Sequence, residues 1–238
     1  MRLGKIPAVV LAGGLGTRLR PYTLFLPKPM LPLGDKPVLE HTLEWLKKNG
    51  VNDIVLCVGY LRRVIEDYFK DGKEFDVRIS YARGNRPLGI AGQLQTAQPF
   101  LNGTFICLYA DMVFDFGLRA LVDFHLRRKA LATIVVMPYK TTLRYGFVDL
   151  DEKGNVKDWR EKPEVSGLIN VGCYVMEPKF LEYIPSVMVS MDGAFRTALK
   201  SGELVCAYRA KGDFIDIGDR RAYASAYEKF LERLGKIL

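Results

Sequence analysis

Long apolar runs, clustered cysteines and paired histidines are all missing from this 238-residue chain. No apolar stretch approaches the roughly 20 residues that cross a bilayer, so no membrane partner is expected. The N-terminal MRLGKIPAVVLAGG has a basic start and a short apolar run. That run leads directly into glycines and arginines and reads poorly as a secretion signal. The four cysteines, Cys57, Cys107, Cys173 and Cys206, are far apart and form no C-x-x-C. They read as buried, reduced thiols of a cytoplasmic protein. The two histidines, His41 and His125, fall in helix-like segments without metal-ligand spacing. Pro/Gly/Ser linkers and low-complexity tracts are absent too, which argues for one continuous domain over residues 1–238.

What is present begins with charge. The formal net charge is +8, with basic runs at Arg62-Arg63, Arg127-Arg128-Lys129 and Arg220-Arg221. Nucleic-acid binding is the sharpest reading of that excess. The cations are dispersed over several elements, however, and no aromatic–basic interleaving marks a stacking platform. A field that attracts small phosphorylated ligands accounts for the charge better, with solvated helix faces supplying the remainder, so nucleic acid is not expected as a partner.

Apolar strand-like runs alternate with amphipathic helices, the pattern of a largely parallel sheet covered on both faces. Strands are expected at residues 6–12, 53–58, 77–82, 104–109 and 131–138, and helices at 37–49, 61–70, 90–100 and 117–129. Residues 145–160 read as a hairpin around the turn Asp151-Glu152-Lys153-Gly154-Asn155. A strand at 169–176, a helix near 191–201, strands near 204–208 and 214–217, and a helix from about 219 complete the pattern.

The most informative stretch is LAGGLGTRLRPYTLFLPKPMLPLGDKP, residues 11–37. Gly13, Gly14 and Gly16 let the backbone approach a ligand and turn its N–H groups toward phosphate oxygens. Arg18, Arg20 and Lys28 can neutralise a polyphosphate, and Pro27 and Pro29 stiffen the backbone around Lys28. A P-loop is excluded because no Lys-Ser or Lys-Thr follows the glycines. A dinucleotide fingerprint is excluded because Leu19 stands where its third glycine would be.

This stretch resembles the signature of the sugar-phosphate nucleotidyltransferases, with Leu11 to Thr23, Pro27-Lys28-Pro29 and Gly34-Asp35-Lys36-Pro37-Val38 in family order. The resemblance implies a three-layer αβα, Rossmann-like fold with a mostly parallel mixed central sheet and a sugar-binding lobe. It divides the chain into a nucleotide-binding half, about 1–140, and a sugar-phosphate-binding half, about 141–238. No hexapeptide repeat follows, so the β-helix tail of some members is not expected.

The activity implied is attack of a sugar-1-phosphate oxygen on the α-phosphorus of a nucleoside triphosphate, with pyrophosphate leaving and Mg²⁺ as cofactor. Such chemistry needs alignment of two mutually repelling anions and charge neutralisation. Leu11, Ala12, Gly13, Gly14, Gly16, Thr17, Arg18 and Lys28 are then expected around the nucleotide, together with Gly84 and Gly89 near the base. Asp111, ending the apolar run FICLYAD, and Asp216, in FIDIGD, are the expected metal ligands. Few carboxylates plus phosphates and water suit Mg²⁺. The usual Trp and Thr-Pro around the second aspartate are replaced by Phe214 and by Asp219-Arg220.

Gly146, Glu161, Lys162 and Asn170 are expected on the sugar phosphate, within Tyr145-Gly146, Glu161-Lys162-Pro163 and Asn170-Val171-Gly172. Arg18, Lys28, Asp111 and Lys162 are the expected catalytic set. Arg86-Pro87-Leu88-Gly89-Ile90-Ala91-Gly92-Gln93 resembles the family's P-L-G-T-A-G turn, but Ile90 replaces threonine and Gln93 a small residue. Gln93 reads equally as a base contact or a plain helix residue.

A guanylyl-, uridylyl- or thymidylyltransferase acting on a hexose-1-phosphate is the leading expectation. A nucleotide-sugar binder without catalysis and a cytidylyltransferase for a non-sugar phosphate are the alternatives. Homo-oligomerisation stays open.

Overall fold

The computed structural model describes residues 3–84, 88–184 and 190–235. The chain opens with β1 (Ala8–Leu11), followed by a long loop containing three 3₁₀ turns and the short strands β2 (Pro32–Leu33) and β3 (Lys36–Pro37). Then come α1 (Val38–Lys48), β4 (Asp53–Val58), α2 (Arg62–Phe69), β5 (Arg78–Arg83) and α3 (Gly89–Thr96). β6 (Phe105–Tyr109), β7 (Met112–Phe114), α4 (Leu118–Arg128) and β8 (Ala132–Thr142) follow. The last part holds β9 (Phe147–Leu150), β10 (Val156–Arg160), β11 (Glu164–Met176), α5 (Met191–Lys200), β12 (Val205–Arg209), β13 (Phe214–Asp216) and α6 (Arg220–Gly235).

Seven strands form the central sheet in the order β12-β8-β11-β6-β1-β4-β5. β6, β1, β4 and β5 are mutually parallel, and β11 runs antiparallel between β6 and β8. The sheet is therefore mixed but mostly parallel, as the alternating pattern predicts. Its central strands are apolar on both faces because both are covered. Ala8 and Val10 of β1 pack with Leu43 and Leu46 of α1, Ile65 and Phe69 of α2, and Leu121 of α4. Val9 and Leu11 face the opposite way, toward Ala91 and Leu94 of α3 and Phe195 of α5. This period-two division produces the three layers.

A third apolar cluster lies under the long loop. Leu19, Leu31 and Leu33 meet Ile215 of β13, Ile217 just after it, and Ala226 of α6. The last elements of the chain thus hold down the loop carrying the glycines. The Arg220 side chain adds a hydrogen bond to the Arg20 carbonyl.

The expected strands and helices all form, with changes at their ends. α3 stops at Thr96, and a 3₁₀ turn at Gln98–Phe100 replaces its last residues because Pro99 cannot donate to a helix. β8 and β11 are longer than expected because they continue as a paired ribbon, Glu164↔Thr142 to Asn170↔Val136, beyond the covered sheet. The β9–β10 hairpin is inserted at the end of that ribbon, and both of its strands are exposed. Cys57, Cys107, Cys173 and Cys206 are buried and free. No described helix is long and apolar enough to cross a membrane.

Candidate functional site

The parallel strands deliver their carboxyl ends to one edge, where open α/β sheets bind ligands. Gly13 follows β1, Gly59 follows β4, Gly84 follows β5 and Asp111 follows β6. Two adjoining cavities open there, of about 220 Å³ and about 520 Å³.

The glycine loop leaves β1 through an Ala12 N–H bond to the Cys57 carbonyl at 2.8 Å. Gly16 has φ of 61°, a left-handed conformation, and a Cβ there would stand 2.9 Å from Thr23 Cγ2. The buried Thr23 hydroxyl donates to the Gly16 carbonyl at 2.8 Å, and Tyr60 Oη donates to the Thr23 carbonyl at 3.1 Å. Gly13 is pressed against the β4–α2 turn, since its Cβ would lie 3.0 Å from Gly59 N. Its amide donates to Gln93 Oε1 at 2.8 Å. Gln93 is therefore more than a plain helix residue.

Leu11, Ala12, Gly14, Gly16, Thr17, Arg18, Lys28 and Asp111 line the smaller cavity. Gly13, Gly14, Gly16, Thr17, Gly84 and Gly89 line the larger one. The ten residues expected around the nucleotide are thus all found on these two walls, joined by Asp111. Arg86 and Pro87, part of the turn singled out beside Gly89, lie outside the described residues.

Lys28 Nζ contacts Asp111 Oδ2 at 2.5 Å and donates to the Gly218 carbonyl at 3.3 Å. Its side chain is only 12% exposed and that of Asp111 23%, so the pair is sheltered and weakly screened. Asp216 reaches the same corner through an antiparallel ladder between β13 and β7 that aligns Asp216 with Met112. The Ile217 amide also bonds to the Asp111 carbonyl at 3.2 Å. Burial and the neighbouring Asp111 charge raise the Asp216 carboxyl above the ordinary aspartate range, while Lys28 and Arg18 oppose the rise.

Asp111 Oδ1 is buried and has no hydrogen-bond partner. An orphaned carboxylate oxygen beside a second, charge-repelled carboxylate is a donor set suited to a divalent cation that takes its remaining ligands from phosphate and water. Among the described residues no group of three or more acidic, His or Cys side chains offers a fuller metal cage.

The residues expected on the sugar phosphate lie apart from the cavity walls. Gly146 packs against Glu161, because a Cβ at Gly146 would be 2.7 Å from Glu161 Oε2. Trp159 Nε1 donates to that oxygen at 3.2 Å. Lys162 takes φ of 43°, and the Leu143 amide bonds to the adjacent Pro163 carbonyl at 3.0 Å, tying the turn to the end of β8. Glu161 and Lys162 are exposed.

Asn170 is connected inward instead. Its Nδ2 donates to Tyr174 Oη at 2.7 Å, and Tyr174 donates to Tyr109 Oη at 3.0 Å on the wall of the smaller cavity. Burial pushes the Tyr174 hydroxyl up to about 12 and raises that of Tyr109 further. Both are neutral hydrogen-bonding groups at physiological pH. Sequence reasoning did not find Tyr109 and Tyr174, because aromatics within apolar strands read as core.

The family model described as Nucleotidyl transferase matches residues 7–233. The chain is 37% identical to a UTP–glucose-1-phosphate uridylyltransferase of Synechocystis sp., over 95% of this chain and 63% of that protein. It is 34% identical to the mannose-1-phosphate guanylyltransferase catalytic subunit beta of Xenopus tropicalis, over 94% of this chain and 64% of that one. The chain therefore spans less than two thirds of the length of these relatives. Among solved structures, HddC from Yersinia pseudotuberculosis complexed with GMP-PN superposes with a TM-score of 0.76 at 29% identity, covering 94% of this chain and 99% of that one. A UTP-bound UGPase from Acinetobacter baumannii gives a TM-score of 0.70 at 24% identity, covering 94% and 93% of the two chains, and shows the shared fold.

Proposed function

Because the chain belongs to the nucleotidyl transferase family, we propose that it joins a nucleoside triphosphate to a sugar-1-phosphate, giving a nucleotide-sugar and pyrophosphate. The observation that carries this reading is the convergence of Lys28, Asp111 and Asp216 beside the glycine loop.

A sugar-1-phosphate oxygen attacks the α-phosphorus, the bond from that phosphorus to the bridging oxygen breaks, and pyrophosphate departs with the electron pair. A phosphate is already anionic at neutral pH, so no strong base is needed. The demands are in-line positioning and neutralisation of charge. The amides of the glycine loop and Arg18 hold the triphosphate in the smaller cavity. Lys28 neutralises charge developing around the α-phosphorus. It is anchored between prolines and already oriented by Asp111.

Asp111 and Asp216 would hold Mg²⁺, which when bound supplies Lewis-acid neutralisation of the phosphate oxygens. Lys162 binds the phosphate of the sugar, Glu161 a hydroxyl, and Gly146 lets the hairpin approach. Asn170, held by Tyr174, orients the sugar over Tyr109. Closure of the exposed hairpin toward the cavity would bring these groups onto the second substrate.

UTP and GTP transferases among the relatives favour a uridylyl-, guanylyl- or thymidylyl donor, and a hexose-1-phosphate is the acceptor. Pyrophosphate release with both substrates and Mg²⁺ present tests the reading, and silence with every pairing would end it.

A further inference from the structure

Gln93 lines both cavities at their junction. It lies four residues after Gly89 and three after Ile90 on α3, so the three share the helix face toward the cleft. Its carboxamide is oriented by the chemistry of its partner. The Gly13 main-chain amide can only donate, so the atom 2.8 Å away must be the side-chain oxygen. Nε2 is thereby turned away from Gly13. It has no partner among the described residues and is not among the buried unsatisfied atoms. That leaves its two N–H donors available on the wall that the two cavities share.

The larger cavity offers a flat ligand backbone surfaces at Gly59, Gly84 and Gly89, with apolar edges at Leu15 and Leu88. A heterocyclic base fits such a slot, and a fixed donor at its inner edge discriminates by what it meets. A ring carbonyl accepts the N–H, whereas an exocyclic amino group opposes it donor to donor.

We propose that Gln93 is a specificity-determining residue whose carboxamide, locked by Gly13, selects nucleoside triphosphates carrying a ring carbonyl over those carrying an amino group at the same position. This rests on the reading that the cleft binds a nucleoside triphosphate.

The test is equilibrium binding of two matched pairs in Mg²⁺, UTP against CTP and ITP against ATP, to the wild type, Gln93→Glu and Gln93→Met. The wild type should prefer the carbonyl member of whichever pair it binds by about tenfold, the scale of one hydrogen bond gained against one opposed. Gln93→Glu keeps an oxygen for the Gly13 amide and replaces the donor by an acceptor, so the ratio should invert. Gln93→Met should bring it to about one. The added negative charge of the Glu variant weakens both members of a pair alike and cancels in the ratio.

If Gln93 only holds the loop, Gln93→Glu will keep the wild-type ratio, and the proposal is overturned. A wild type without carbonyl preference overturns it too. Carbonyl preference without pyrophosphate release from any sugar-1-phosphate would remove the transferase reading and leave this role intact.

Discussion

The two oxygens of Asp111 are in different situations: Oδ2 holds Lys28 at 2.5 Å, and Oδ1 is buried without a hydrogen bond. Asp111→Asn should lower kcat by roughly 10²- to 10³-fold, the equivalent of losing several kcal/mol of metal-assisted stabilisation. The fold should survive, which far-ultraviolet circular dichroism checks. Lys28→Met should cost roughly 10²-fold in single-turnover rate, the scale of one preorganised electrostatic group. Because the two side chains form one sheltered pair, the double variant should lose less than the product of the single losses. Multiplicative losses would mean independent roles.

The two substrates separate at Arg18 and Lys162. Arg18→Ala should chiefly raise KM for the triphosphate, and Lys162→Ala that for the sugar phosphate. A shift of the same KM by both variants would refute this division of the site. At this scale the sequence reveals the charged residues, since an aspartate ending an apolar strand and a lysine between prolines stand out against their surroundings. The hydrogen-bonded line Asn170–Tyr174–Tyr109 is hidden. It depends on side chains of two paired strands meeting across the sheet.

Among the elements, β7 and β13 have three residues each, and the ladder between them carries Asp216 to Asp111. Neither strand is long enough to display a period, although residues 214–217 read as apolar and extended, so the convergence of the two aspartates rests in sequence on motif order alone. The helices were legible from their apolar period and the central strands from their continuous apolar runs. The outer half of β11 was not, because Glu164 to Asn170 is exposed or half-exposed and pairs only with β8.

Gly172 tests the irregularity of β11 where the ladder shifts. It has φ of 70°, and a Cβ would stand 2.6 Å from the Tyr109 ring. Gly172→Ala should destabilise the protein by about 1–3 kcal/mol in urea unfolding. It should also disturb sugar-phosphate KM through Tyr109 more than triphosphate KM. Unchanged stability would mean that the ring moves aside freely.

In the whole molecule, the core, the sheet and the end of the chain all converge on the carboxyl edge of the strands. Charge there is divided between the cations Arg18 and Lys28 and the facing carboxylates Asp111 and Asp216. Mg²⁺ with a triphosphate should relieve the carboxylate repulsion and bind only the folded state. Near 100 Kd it should raise Tm by about 5 °C or more. The rise should shrink as pH falls, because Asp216 holds its proton more tightly than a free aspartate. Asp111→Asn should lose most of it, and an equal rise in that variant would contradict the metal assignment.

The most direct test of the central claim is pyrophosphate release measured over a matrix of five nucleoside triphosphates and several hexose-1-phosphates. Release is expected only when Mg²⁺, a nucleoside triphosphate and a sugar-1-phosphate are all present, with a nucleotide-sugar formed in equal amount. Release that does not require the sugar phosphate, or none from any combination, would contradict it.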